Sequence, residues 1–156
     1  MKILIVSDTH GRIHKTIDFI EHNPDISLCL HLGDSFNDVE DLRVMFPKLK
    51  IDYVLGNSDF LNAPYFRVME LMGVRVALTH GHNYNVRSGL VTLSERALAK
   101  EASLCLFGHT HVPFNGYVNG VHMFNPGSAA LPLEGSATCG ILTINETGYE
   151  INTVCI

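Results

Sequence analysis

Residues 1–11 read MKILIVSDTHG: a β-branched apolar run, Lys2–Val6, that breaks off on Ser7-Asp8-Thr9-His10. A continuous apolar run of this length suits a strand buried on both faces. Working outward, Ile13, Ile17 and Ile20 recur at helical spacing until Pro24, and Ser27–Leu32 reads as a second strand. Val39, Leu42, Met45 and Phe46 mark a second helix stopped by Pro47, and Lys50–Leu55 is a third strand. The first 55 residues therefore predict β-α-β-α-β, with parallel strands and right-handed crossovers. Further on, Tyr65–Leu71 and Val74–Thr79 form a pair turned at Met72-Gly73, and Ser88 to Lys100 reads as an amphipathic helix. From Leu104 only strands are expected: Leu104–Phe107, Val112–Phe114, Tyr117-Val118 and Val121–Phe124 across Asn119-Gly120, then Thr138–Ile144 and Tyr149–Val154. No linker, repeat or charge run divides the chain, so one mixed α/β domain over residues 1–156 is predicted.

With 46% hydrophobic and 17% charged residues, the chain is neither disordered nor fibrous. Its length suffices for a core without disulfides. The net charge of −5, and the absence of Lys and Arg after Lys100, argue against an extended nucleic-acid surface or an anionic membrane as partner. Cys29, Cys105, Cys139 and Cys155 are widely spaced with no CxxC pair, which suits reduced thiols in a cytoplasmic protein. The apolar start is shorter than a secretory h-region, and no run approaches the roughly 18 apolar residues of a membrane span.

The chemistry sits where strands stop. ILIV runs into Asp8-Thr9-His10, LCLHL into Gly33-Asp34, DYVL into Gly56-Asn57-Ser58-Asp59, VALT into His80-Gly81-His82, and LCLF into Gly108-His109-Thr110-His111. In open α/β sheets the loops beyond the carboxyl ends of strands share one crevice. Asp8, His10, Asp34, Asn57, His80, His109 and His111 are thus expected in one place. Carboxylate, imidazole and amide donors without thiolate suit Zn, Mn, Fe, Ni or Co, and suit Ca poorly. Seven ligands exceed what one ion can hold alongside water and substrate, so two ions sharing a carboxylate fit better. Singly, each residue has a plainer use: Asp8 or Asp34 as a cap, Asn57-Ser58-Asp59 as a loop, His80 and His82 as surface imidazoles. Jointly, five strand ends bearing metal-type donors outweigh those uses. His14, His22 and His122 keep a structural reading, and His31 is either a core histidine or a partner behind a ligand.

These motifs, D-x-H, G-D, G-N-x-D, H-G-H and G-H-x-H in that order, resemble the calcineurin-like metallophosphoesterases, in particular their small bacterial and archaeal phosphodiesterases. The turn Asn125-Pro126-Gly127-Ser128 resembles theirs too. The resemblance implies a single-domain α/β four-layer sandwich, two mixed β-sheets flanked by helices, with parallel strands first and antiparallel strands later. It implies one divalent ion on Asp8, His10, Asp34 and His111, and another on Asp34, Asn57, His80 and His109. Manganese is the first choice, with Ni, Co, Zn, Fe or Mg as alternatives. It also implies hydrolysis of a small phosphodiester or nucleotide by a hydroxide bridging the ions.

The departure is Ser58, where many members carry a histidine thought to protonate the leaving alkoxide. His82 is the candidate to substitute, or else only binds a phosphate oxygen, and together with Asn57 is expected to be catalytic; Ser58, Asp59 and Arg12 are expected to contact substrate, with orienting the loop as the alternative role of Asp59. Losing the acid implies preference for esters with good leaving groups, such as aryl diesters. Rival readings are a non-catalytic protein-binding scaffold on the same fold, a nuclease, and a phosphomonoesterase. Phe60, Leu61, Tyr65 and Phe66 are either core or the interface of a homo-oligomer.

Overall fold

In the computed structural model, which describes residues 1–156, the first half runs β1 (Lys2–Val6), α1 (His14–Glu21), β2 (Ile26–His31), α2 (Phe36–Met45) and β3 (Lys50–Tyr53). The second runs β4 (Phe66–Leu71), β5 (Val74–Thr79), α3 (Val91–Leu98), β6 (Leu104–Leu106), β7 (Phe114–Val118), β8 (Val121–Asn125), β9 (Thr138–Asn145) and β10 (Gly148–Cys155). The strands make two five-stranded sheets, ordered β10-β9-β1-β2-β3 and β4-β5-β6-β8-β7. In the first, β1, β2 and β3 are parallel, as their helical crossovers require, and β9 closes antiparallel on β1. In the second, β6 runs parallel to both β5 and β8. The later strands are thus not all antiparallel, because α3 carries the chain back between β5 and β6 as a further crossover.

Alternation along the strands builds four layers. Ile3 and Ile5 of β1, with Leu28 and Leu30 of β2, meet Val76, Leu78, Leu104, Leu106 and Phe124 of the facing sheet in the central core. Their neighbours Leu4, Val6 and Cys29 point the other way, onto Ile20 of α1 and Val39 and Leu42 of α2. On the opposite flank Ala77, Cys105 and Met123 pack on Leu93 and Ala97 of α3. Burial on both faces is why β1, β2 and β6 read as unbroken apolar runs. Each fully buried Leu, Ile or Phe contributes about 1.5–3 kcal/mol. Gly140 lets the sheets close: a Cβ there would stand 2.5 Å from Cε1 of Phe124.

Element ends differ from expectation where backbone groups find other partners. β3 ends at Tyr53; the Val54 N–H still donates to His31 O, and the Leu55 N–H, on the outer edge, meets Pro64 O. α3 begins at Val91, after a turn in which the Ser88 N–H donates to Asn85 O. Val112 and Pro113 lie outside β7, which is continuous from Phe114 to Val118. Met45 is exposed rather than core, and Phe66 packs in the α3 layer while Phe60, Leu61 and Tyr65 stay exposed. No helix is long and apolar enough to cross a membrane.

Candidate metal centre

Asp8, Asp34, His80 and His109 follow the carboxyl ends of β1, β2, β5 and β6. The chain turns sharply there: Asp8, His10, Asp34, His109 and His111 have φ of 57°, 45°, 62°, 68° and 59°. For a residue with a Cβ this left-handed conformation costs on the order of 1–3 kcal/mol, and such strain concentrates at functional sites. Backbone ties hold it in place: Asp8 N–H donates to Gly33 O at 3.1 Å, and His10 N–H to Asp34 O at 3.3 Å. Gly33 and Gly56 stand back to back, a Cβ on Gly33 lying 2.6 Å from Gly56 N, so both loops need glycine for their close approach.

Asp8 is fully buried. Its Oδ2 accepts from Ser7 Oγ at 2.6 Å and from His109 N–H at 3.1 Å. Its Oδ1 has no hydrogen-bond partner. Around that oxygen stand Nε2 of His111 at 3.1 Å, outside hydrogen-bond alignment, His80 at 3.8 Å and His10 at 4.0 Å. Asp34 accepts the Ser58 N–H on Oδ1 at 3.0 Å and turns Oδ2 toward Nε2 of His80 (3.4 Å) and His10 (3.8 Å). Two clusters of donors result, Asp8–His10–His111 and Asp8–Asp34–His80. Asp8 enters both, and Asp34 reaches His10 of the first as well as His80 of the second.

The imidazoles are aimed by what lies behind them. His80 Nδ1 is 2.8 Å from Leu32 O and His111 Nδ1 is 2.6 Å from Leu131 O. A carbonyl can only accept, so each Nδ1 carries the proton and each Nε2 presents a lone pair to the centre when the ring is neutral. His109 Nδ1 lies 3.2 Å from His80 Nε2, and the Nε2 atoms of His10 and His111 are 3.4 Å apart. Electrostatics follow. Burial alone would lower the His80 pKa, but the Asp34 and Asp8 carboxylates outweigh it and raise it. The Asp8 carboxylate, 3.1 Å from its Nε2, raises that of His111 against its burial. Burial, then the neighbouring His80 and Arg87, push His109 down to about 4. Asp8 and Asp34 would be raised by burial, yet the surrounding imidazoles hold both below the usual carboxylate range.

A buried carboxylate oxygen without a donor, ringed by nitrogen lone pairs, is an arrangement a cation satisfies and a proton serves poorly. The nitrogen–oxygen donor set fits divalent transition metals.

Other expected residues sit around this centre with distinct roles. Asn57 and Ser58 are exposed on the loop after Gly56, and neither side chain makes a hydrogen bond within the chain; Ser58 serves through its N–H. Asp59 is buried, with Oδ2 accepting from Asp34 N–H (3.0 Å) and Gly56 N–H (2.8 Å), and Oδ1 from Ser35 N–H (3.0 Å) and Phe36 N–H (2.7 Å). That carboxylate is committed to backbone rather than turned to a substrate. His82 lies beside the centre, its ring 5.5 Å from that of His80 and 6.1 Å from that of His109, with Nδ1 buried and unpartnered. Its pKa is lowered by burial and by His80. Arg12 is exposed, its only hydrogen bond being its own N–H to Thr9 O. Arg87 instead reaches the centre's edge, donating to His109 O at 3.2 Å.

Several supports escaped the sequence reading. Ser7 anchors Asp8, and Asp38 accepts the Gly11 N–H at 2.9 Å. Ser128 Oγ donates to Asp8 O at 2.8 Å, while Asn125 Nδ2 donates to Gly108 O at 3.0 Å, so the 125–128 turn clamps the D-T-H and G-H-T-H loops together. That turn was visible as a motif, but nothing in its residues assigned it a role. His31 stands behind the loops, taking the Gly33 N–H on Nδ1 (3.2 Å) and meeting Thr9 Oγ1 through Nε2 (3.0 Å).

A family model described as the calcineurin-like phosphoesterase superfamily domain matches residues 1–147. The probable metallophosphoesterase YsnB of Bacillus subtilis is 32% identical over 156 residues, covering 97% of this chain and 89% of its own. A phosphodiesterase of Methanocaldococcus jannaschii is 26% identical, with 96% of this chain and 97% of that one covered. Among solved structures, a conserved Streptococcus pneumoniae protein described as a predicted phosphoesterase superposes with a TM-score of 0.82 at 25% identity, covering 99% of this chain and 88% of the other.

Proposed function

From its membership of the calcineurin-like phosphoesterase superfamily, to which the chain belongs, we propose that it is a phosphodiesterase of small phosphodiesters or nucleotides, dependent on two divalent ions. The observation that carries this reading is Asp8 Oδ1, buried without a partner among the Nε2 atoms of His10, His80 and His111. Asp8, His10, Asp34 and His111 would hold one ion, and Asp34, Asn57, His80 and His109 the other, manganese being the first choice. When bound, such ions supply Lewis acidity toward phosphoryl oxygens and make hydroxide available near neutral pH.

The chain's own residues do the rest. The Ser58 N–H fixes the Asp34 carboxylate, Asp59 fixes the Asp34 backbone, and Leu32 O and Leu131 O fix two imidazoles, so the donors are set before substrate arrives. Arg87, already at the His109 carbonyl, adds positive charge at the edge of the centre. His82, kept neutral by burial and by His80, is poised to accept a proton or a hydrogen bond rather than to donate as an imidazolium. With serine at 58, the leaving group departs without a strong acid from this loop. Cys29, Cys105 and Cys139 are free and buried, which supports a cytoplasmic setting.

The test is turnover of bis-p-nitrophenyl phosphate and p-nitrophenyl phosphate by metal-stripped protein to which Mn, Ni, Co, Zn or Mg is added singly. The diester is expected to turn over faster, with Mn the best activator. No turnover of either ester with any ion overturns the reading.

A further inference from the structure

A groove of about 540 Å³ opens directly from the metal centre, sharing His10 and Ser58 with it. Its volume falls in the usual range for small-molecule sites, about 300–1,000 Å³. Its walls have a distinct chemistry. No Lys or Arg lines it, and its one carboxylate, Asp59, has both oxygens engaged by four backbone N–H groups. A second anionic group on a ligand would therefore find nothing to pair with.

What the groove does offer is aromatic surface. Phe36 is half-buried, its ring 4.9 Å from that of Tyr53, which fixes it as part of the wall. Phe60 is 93% exposed, although it lies one residue from the buried Asp59. The exposed Phe60 ring and the half-buried Phe36 ring line the same groove and leave it with unfilled aromatic surface. Ser35, Asn37 and Ser58, which line the same groove, carry hydroxyl and amide groups that make no hydrogen bond within the chain.

We propose that this groove binds a flat, uncharged aromatic group esterified to the phosphate, with Phe60 stacking on its face and Ser35, Asn37 and Ser58 meeting its polar edge. Resting on the reading of the centre as a phosphoester site, this names the class of ester: one whose alcohol portion is an aryl ring or a nucleoside. The two sources share the planar ring and differ in hydrogen-bonding edges.

The test is calorimetric binding of methylphosphonate, phenylphosphonate and a thymidine 5′-phosphonate to Mn-loaded protein, since none of these requires turnover. Phenylphosphonate is expected to bind on the order of tenfold tighter than methylphosphonate. Phe60→Ala should shrink that ratio several-fold, while Val44→Ala, which trims an apolar residue 81% exposed on α2, should leave it unchanged. A further gain for the thymidine compound identifies a nucleoside as the occupant, and parity with phenyl identifies a plain aryl group. A wild-type ratio near one, a ratio that survives Phe60→Ala, or no binding of any phosphonate overturns the proposal. Failure of the activity reading is seen separately, as absent turnover of bis-p-nitrophenyl phosphate while the phenyl preference persists.

Discussion

Asp59 holds Asp34 by the backbone: its Oδ2 accepts the Asp34 N–H at 3.0 Å, while the preceding Ser58 N–H reaches the Asp34 carboxylate at 3.0 Å. The same Asp59 carboxylate takes the Ser35 and Phe36 N–H groups at the start of α2, where no side chain of its own caps the helix. One buried acid therefore satisfies orphan donors of a helix N-terminus and pins a metal-type carboxylate in a left-handed conformation.

Asp59→Asn replaces one acceptor oxygen by an amide donor, which would oppose two backbone N–H groups. We expect a stability loss of about 1–3 kcal/mol and a fall in Mn²⁺ affinity of about tenfold or more. Thermal melts of the metal-free protein and Mn²⁺ calorimetry measure the two effects; unchanged affinity would count against the clasp.

The pH dependence of the metal-free protein has a sign fixed by its histidines. His109, near 4 when folded, binds fewer protons than in the unfolded chain, so between that value and the ordinary 6.5 stability rises with pH. His80 and His111 are raised, so their contribution is complete below 6.5 and is lost as pH climbs through their folded values. Melting temperature should thus peak near pH 6.5 and fall on both sides. Bound cation displaces the protons on His80 and His111, so calorimetry in buffers of different ionisation enthalpy should register more proton release at acidic than at alkaline pH.

Ser58→His restores an imidazole on an exposed, uncommitted position. Hydrolysis rates of diesters with leaving groups of graded pKa should fall steeply in the parent, and the variant should recover the poorest esters by about 10²-fold at most. Parallel slopes for the two proteins would show that the acid comes from elsewhere.

Burial pushes the thiols of Cys29, Cys105 and Cys139 up to about 12, whereas Cys155 is exposed. A disulfide reagent should label one thiol rapidly in native protein and four after denaturation. Rapid labelling of a second native thiol would contradict the packing of the helical layers.

The β-α-β-α-β succession and parallel strands of the first half, and the gathering of Asp8, His10, Asp34, His80, His109 and His111, were legible because buried strands write themselves as apolar runs and polar residues mark where each run ends. What stayed hidden depends on contacts between distant segments. Nothing in Asn125 to Ser128 says that they reach Gly108 and Asp8, and Asp59 reads as a loop acid until its four backbone donors are seen. β8 lying parallel to β6 was likewise unreadable, because the intervening hairpin strand carries no helix to announce a crossover.

Asp8 and Asp34 hang from one sheet, His80 and His109 from the other, and His80 already crosses the gap to Leu32 O. An ion seated there works as a rivet through both plates of the sandwich. Because the unfolded chain offers no such cage, every increment of occupancy is an increment of resistance to prying the halves apart.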